Sequence, residues 1–243
     1  MTTDPSVRLA WGLRGARDAA ARGDVVVVVD VLSFSSAVAV AVERGAEVFP
    51  CAAGDDPHAI ARRVRAEVAV RRADVPAKGA FSLSPGKFRR APAGTRVVLP
   101  SPNGATCAVA AAAGGARHVL SGCLLNAGAV AEAAERTARE EAAAITVVAC
   151  GERWEDGSLR VALEDHLGAG AIVARLGFPR LPEASAAAGA FAAVAGRLEE
   201  LLLDCESGVE LRARGFAEDV RGSARLDECR SAPRLRDGAF LAG

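Results

Sequence analysis

The sequence predicts one α/β domain over residues 1–243, three layers (α/β/α) around a mixed, largely parallel sheet. Three observations predict it. Short β-branched runs alternate with alanine-rich segments of helical length. The strongest run, Val25 to Val31, is apolar on both faces, as a strand covered on both sides must be. Finally, 51% apolar side chains in 243 residues supply enough surface to bury a sizeable core.

The elements follow in order. Val25 to Val31 is too short for an average helix and reads as a central strand; Ser36 to Arg44 follows as a helix, then Glu47 to Cys51 as a weaker strand and Pro57 to Arg71 as a helix. Ala73 to Gly94 carries Pro76, Pro85 and Pro92 with Gly79, Gly86 and Gly94, so it reads as an ordered loop over one end of the sheet, because sheet-like runs resume immediately. Arg96 to Pro100 is a strand, Thr106 to Ala113 a helix, His118 to Ser121 a weaker strand and Asn126 to Glu141 a helix. Ile145 to Cys150 closes the strand series, and Leu163 to Leu176 and Glu183 to Cys205 are helical in length and composition. The tail beyond Cys205 reads as short helical pieces packed on the main domain.

Composition excludes several functions. Thirty basic residues balance thirty acidic ones, so no general field attracts nucleic acid or an anionic membrane. Aromatic content is 4% with no Tyr, which argues against stacking platforms for bases. No run of eighteen apolar residues occurs, and Met1 to Arg8 has an acid and a proline where a secretory signal needs a basic start and an apolar run, so the expected compartment is the cytoplasm. The six cysteines form no C-x-x-C pair and read as small buried thiols. Alanine-rich helices suit close packing within or between subunits, which admits a homodimer.

The polar residues collect after the strong strands, where open α/β sheets bind ligands. Asp30, Ser33, Ser35 and Ser36 follow the first; Ser101, Pro102, Asn103, Gly104 and Thr106 follow the second; Gly151, Glu152, Glu164 and Asp165 follow the third. An aspartate ending five valines either caps the next turn or meets a cation or several donors, and the serines are helix caps or oxyanion contacts. On a helix Asp165 shares a stripe with Ala169, Ile172 and Leu176 and faces the sheet, whereas Glu164 falls beside Gly168, Ala171 and Arg175, where a helix-dipole acid suffices to explain it. Asp30, Glu152 and Asp165 together make a hard oxygen site of the kind magnesium uses. His166 reads as a packing residue or a ligand; His58 and His118 show no partners.

Spacing removes alternatives. There is no Gly-x-Ser-x-Gly, the Gly79 to Lys87 stretch fails as a P-loop at Phe88, no cysteine has Arg six positions on, and Asp30 has no second Asp two positions on.

In this order and spacing, the motifs resemble the ComB family of magnesium-dependent 2-phosphosulfolactate phosphatases of coenzyme M biosynthesis. They are Asp30-Val31-Leu32 with its serine-rich turn, Ser84-Pro85, Ser101-Pro102-Asn103-Gly104-Ala105, Cys150-Gly151-Glu152, Glu164-Asp165 with Gly168-Ala169-Gly170, Ser207-Gly208-Val209-Glu210-Leu211 and Glu218-Asp219-Val220. The resemblance covers roughly residues 24 to 240. It implies hydrolysis of a phosphate ester on a small sulfonated or carboxylated acid, with Asp30 and Asp165 catalytic and Asp30, Glu152, Glu164 and Asp165 around Mg2+. Ser33, Ser35, Ser36, Ser101, Asn103, Gly104 and Gly151 are expected to contact substrate. The family usually carries an arginine where this chain has Ser33, and often Gly-Asn-Ser-Pro where it has Ser82-Leu83-Ser84-Pro85. Lys78, Lys87, Arg89 and Arg153 are the cations considered for the missing guanidinium, which would otherwise hold an anion through two bonds. Two other readings stand beside this one: a non-catalytic binding module for a small anionic metabolite, and a hydrolase with Cys150 as nucleophile.

Overall fold

The computed structural model describes residues 5–243; residues 1–4 of the N-terminal segment considered above lie outside the described residues. In chain order the elements are β1 (Val7–Trp11), α1 (Gly12–Ala21), β2 (Val25–Val29), α2 (Phe34–Glu43), β3 (Glu47–Cys51), α3 (Pro57–Val64), β4 (Glu67–Val68), β5 (Arg96–Pro100), α4 (Gly104–Ala113), β6 (Val119–Gly122) and α5 (Ala127–Glu141). There follow β7 (Ile145–Ala149), the short hairpin β8 (Glu152–Arg153) and β9 (Leu159–Arg160), then α6 (Leu163–Val173), α7 (Pro182–Val194), α8 (Leu198–Asp204), α9 (Glu206–Ala213), α10 (Ala217–Ser223), β10 (Pro233–Arg236) and β11 (Ala239–Ala242).

Nine strands form one mixed sheet in the order β1-β7-β2-β6-β10-β11-β3-β5-β4. β1, β7, β2 and β6 run parallel, β3, β5 and β4 form a second parallel set, and the β10–β11 hairpin stands between the sets, antiparallel to β6 and to β3. All five valines of β2 are buried although alternate residues face opposite ways, so helices cover both faces there. Phe34, Phe88, Leu99, Leu120, Ile145 and Phe240 are among the largest fully buried side chains. Among the described residues no helix is long and apolar enough to cross a membrane.

Three expectations need correction. The helix read over Pro57 to Arg71 stops at Val64: Arg65 turns left-handed at φ 53°, and the alternating Glu67-Val68 joins β5 as a strand instead. The helix read over Glu183 to Cys205 is broken by a single 3-10 turn, Ala195–Arg197, into α7 and α8. β1 and the hairpin β10–β11 are absent from the sequence reading; Arg8 interrupts β1 and Arg234 and Arg236 interrupt β10, with Arg8 beside Asp24 and Arg234 reaching His118, so pairing and neighbours rather than an apolar run place these strands in the sheet.

The Ala73 to Gly94 segment is an ordered loop, as its composition predicts. Phe81 stacks on Phe88 with ring centroids 4.9 Å apart, and Ser82 and Ser84 are buried. This anchoring holds Leu83 at the edge of the site.

Candidate active site

The ends of β2, β5 and β7 meet through two buried carboxylates. Asp30, immediately after β2, accepts the amide of Phe34 on Oδ1 (3.0 Å) and the amide of Gly104 on Oδ2 (2.8 Å), with the Ser101 hydroxyl also donating to Oδ2 (3.3 Å). The first turns of α2 and α4 are thereby aimed at one side chain, where free amides and the helix dipole favour negative charge. Gly104 is required at this approach: a Cβ would lie 2.4 Å from the Phe34 ring and 2.7 Å from Asp30 Oδ2. Burial raises the Asp30 carboxyl above its ordinary range against the pull of those donors.

Asp165 does the same for the first and third strand ends. Its Oδ1 accepts the Val31 amide (2.7 Å) and its Oδ2 the Gly151 amide (2.8 Å), so one carboxylate straps the residue after Asp30 to the residue before Glu152. Gly151 meets it at φ 66°, and a Cβ there would strike Leu159 and the Arg160 carbonyl. Burial, then the charges of Asp30 and Glu164, push the Asp165 carboxyl well above the usual range. Glu164, read as an outward dipole acid, is 2% exposed. The correction follows from α6 being covered on nearly every side, by the sheet and by α7; the Glu164 carboxylate accepts the Cys205 thiol at 3.4 Å.

Glu152 opens the hairpin and accepts Asn103 Nδ2 at 2.7 Å, which ties the second strand end to the third. Burial first, then Asp30, raises its carboxyl to about 7. Asp30, Ser33, Ser101, Asn103 and Glu152 line one cavity of about 300 Å3. Ser35 and Ser36 do not line it: the Ser35 hydroxyl donates to the Val28 carbonyl and accepts the Asp30 amide, and that of Ser36 donates to the Val31 carbonyl. The amides of Gly104 and Gly151 are likewise taken, by Asp30 and Asp165. Expected as substrate contacts, these four residues build the turns that hold the site.

Two cations line the cavity, Arg72 and Arg214, and sequence reasoning missed both. Arg72 donates from Nη2 to the Ser33 hydroxyl (2.6 Å) and the Leu83 carbonyl (3.3 Å), and from Nε to Asp219 (2.8 Å), which also accepts the Ser84 hydroxyl (2.6 Å). A guanidinium thus reaches position 33 from another part of the chain. Lys78 instead pairs with Asp74, Arg89 pairs with Glu228, Lys87 is exposed, and Arg153 donates to the Pro102 carbonyl in a neighbouring cavity. Arg71-Arg72 sits at the end of a stretch mistaken for helix, where two arginines look like ordinary surface charge. The signal lay in the Ser84 and Asp219 motifs, since Asp219 accepts from both Ser84 and this arginine.

The tail completes the wall. Ser207, Glu210 and Arg214 line the same cavity from α9 and its C-terminus. Arg160, 8% exposed in its side chain, pairs with Glu206 (2.7 Å) and Glu210 (3.1 Å) and so fastens the Glu152 hairpin to α9. Cys150 is buried, and Cys107 together with burial raises its thiol well above the ordinary value, the reverse of what a nucleophile needs. All six cysteines are free and buried, as expected. His166 stacks on Trp11, with centroids 5.9 Å apart.

The model of the 2-phosphosulpholactate phosphatase family matches residues 15–238, which includes every one of these site residues. The chain belongs to this phosphatase family. It is also similar to a protein of Deinococcus radiodurans described as a probable 2-phosphosulfolactate phosphatase, at 31% identity over 245 residues, covering 90% of this chain and 94% of the relative.

Two observations test whether this phosphatase family member suits a divalent ion. The carboxyls of Asp30, Glu152 and Asp165 are each raised in part by neighbouring carboxylates, and among the described residues none of the three pairs with a lysine or arginine, a setting that a cation would relieve. No group of three or more His, Cys, Asp or Glu side chains among the described residues forms a ready cage. An ion here would be held by one or two carboxylates, with water and substrate oxygens completing the shell, an arrangement compatible with magnesium. Asp30 and Glu152 face the cavity and would hold it; Glu164 and Asp165 do not line it.

Proposed function

We propose that the protein is a magnesium-dependent phosphatase that hydrolyses a phosphate monoester of a small sulfonated or carboxylated hydroxy acid, 2-phosphosulfolactate being the type substrate named for its family. The observation that carries the reading is the make-up of the cavity of about 300 Å3, whose lining brings together buried Asp30, half-buried Glu152 and the Arg72 guanidinium. Bound between the carboxylates, magnesium would supply the positive charge that polarises the phosphoryl group and acidifies water. Asn103, its side chain fixed by Glu152, and the hydroxyls of Ser33 and Ser101 present polar atoms to the phosphoryl oxygens. Asp165 is a positioning residue, since it sets Val31 and Gly151 and through them the two carboxylates on either side. Overall, water adds to phosphorus, the ester P–O bond breaks, and the alcohol leaves carrying a proton.

The test is phosphate release from 2-phospho-3-sulfolactate and 2-phospholactate, with and without magnesium, by the native chain and by Asp30→Asn, with circular dichroism to confirm that the variant folds. Release only by the native chain with magnesium is expected. Equal release in all four conditions would overturn the reading, and binding of phospho-acids without release over hours would replace it with the binding module.

A further inference from the structure

The cavity does not end at Arg72. A second cavity of about 470 Å3 shares Arg72, Leu83, Leu211 and Arg214 with it and continues along Val70 and Phe216. Two guanidiniums therefore stand at the junction, and they are in different states. Arg72 is held from three sides: Asp219 takes Nε, Ser33 and Leu83 take Nη2, and the Phe216 ring lies under it with its centroid 5.7 Å from the guanidinium carbon. Its Nη1 has no protein partner among the described residues, and its side chain is 16% exposed.

Arg214 is free. Three arginines near it in the tail are matched to acids: Arg212 to Asp204, Arg221 to Glu199 and Glu218, Arg225 to Glu228. Arg214 makes no ion pair and no side-chain hydrogen bond among the described residues, although it borders both cavities. Glu210, one helical turn before it, is occupied by Arg160. Arg214 overlooks the junction unpaired, beside a second guanidinium with a spare donor edge.

The cavity thus carries both charges: the Asp30 and Glu152 carboxylates, which would draw a cation and through it a phosphate, and two guanidiniums, of which Arg214 has no acid partner among the described residues. A phosphate alone needs only the first. We propose that Arg72 and Arg214 form a subsite for the second acid group of the substrate, its sulfonate or carboxylate, and that Arg214 determines specificity for substrates that carry one. The proposal rests on the phosphatase reading of the same site. Guanidinium suits this role because its planar donors meet an oxyanion through two bonds, and because it stays charged at every working pH.

Binding and turnover test it separately. Calorimetry of 3-sulfolactate and of inorganic phosphate, each titrated into the native chain and into Arg214→Gln, is expected to show the affinity ratio of sulfolactate to phosphate fall about tenfold in the variant, with Arg214→Lys in between. In kinetics, the ratio of kcat/KM for 2-phospho-3-sulfolactate to that for isopropyl phosphate, an ester with no second acid, is expected to fall by a similar factor, through KM rather than kcat. Ratios that do not move, or a variant that weakens both ligands equally, would overturn the subsite. A native chain that binds sulfolactate through Arg214 yet hydrolyses neither ester would uphold the subsite and overturn the phosphatase reading instead.

Discussion

Replacing Asp165 by Asn separates a strap from a metal ligand. Both Asp165 oxygens accept buried backbone amides, from Val31 and Gly151, and an asparagine can offer only one acceptor, leaving its NH2 group against an N–H. Losing a hydrogen bond to a charged group costs about 1.5–3 kcal/mol, and the opposed donors add to it. Removing a charge that stands beside Asp30 and Glu164 offsets part of that cost. The net expectation is a loss of about 2 kcal/mol, which for a chain of this size lowers Tm by about 4–8 °C. The assay is thermal and urea unfolding of the metal-free protein, joined to a magnesium titration followed by calorimetry. Asp165→Asn should unfold earlier and turn over more slowly, while its magnesium midpoint moves little. A variant as stable as the native chain, with magnesium affinity reduced about tenfold, would show that Asp165 ligates the ion and that the reasoning from its amide partners is mistaken.

Other outcomes follow from the same geometry. Gly104→Ala places a Cβ against the fully buried Phe34 ring and Asp30; overpacking of this kind costs about 1–3 kcal/mol, and unfolding by denaturant should show it together with loss of phosphate release. Glu152 has a folded carboxyl raised to about 7 from 4.5, so without metal the folded state holds the extra proton between those values and stability falls as pH rises through that window, by at most about 3 kcal/mol. Glu152→Gln should flatten that part of the pH–Tm curve, and an unchanged slope would count against the half-buried, cation-free setting of Glu152. Arg160→Met frees Glu206 and Glu210 and loosens the hairpin from α9; hydrogen exchange at residues 152–160 should quicken, with kcat/KM reduced several-fold.

Much of this was legible in the sequence because burial on two faces leaves a strong mark. Val25 to Val29, Arg96 to Pro100 and Ile145 to Ala149 are apolar runs, and each ends where a loop of turn-forming and polar residues begins. That Asp30, Asn103, Glu152 and Asp165 gather was expected because each follows a strong strand, where open α/β sheets bind ligands. What their atoms do did not follow, because an aspartate that binds amides and one that binds a cation have the same neighbours in the chain. Ser35 and Ser36 illustrate the limit: serines in a turn after a strand suit an oxyanion equally well, and only distances show their hydroxyls returned to Val28 and Val31. Arg72 was beyond reach for another reason. It is separated from Ser33 by 39 positions and from Asp219 by 147, and nothing local distinguishes it from Arg71 beside it.

The place of the β10–β11 hairpin has a consequence for how the chain reaches this state. Every strand of both parallel sets precedes it in sequence, yet it occupies the seam between β6 and β3. Until it arrives, each half-sheet presents an unsatisfied rim of amides and carbonyls, the template on which a second molecule can add a strand. Contacts bridging so many residues also form late, because the loop entropy is lost before the pairing is gained. The half that supplies Asp30 and Glu152 and the half that supplies Ser101 and Asn103 are joined in the sheet through this hairpin, so the element that completes the pocket also seals the seam's exposed edges.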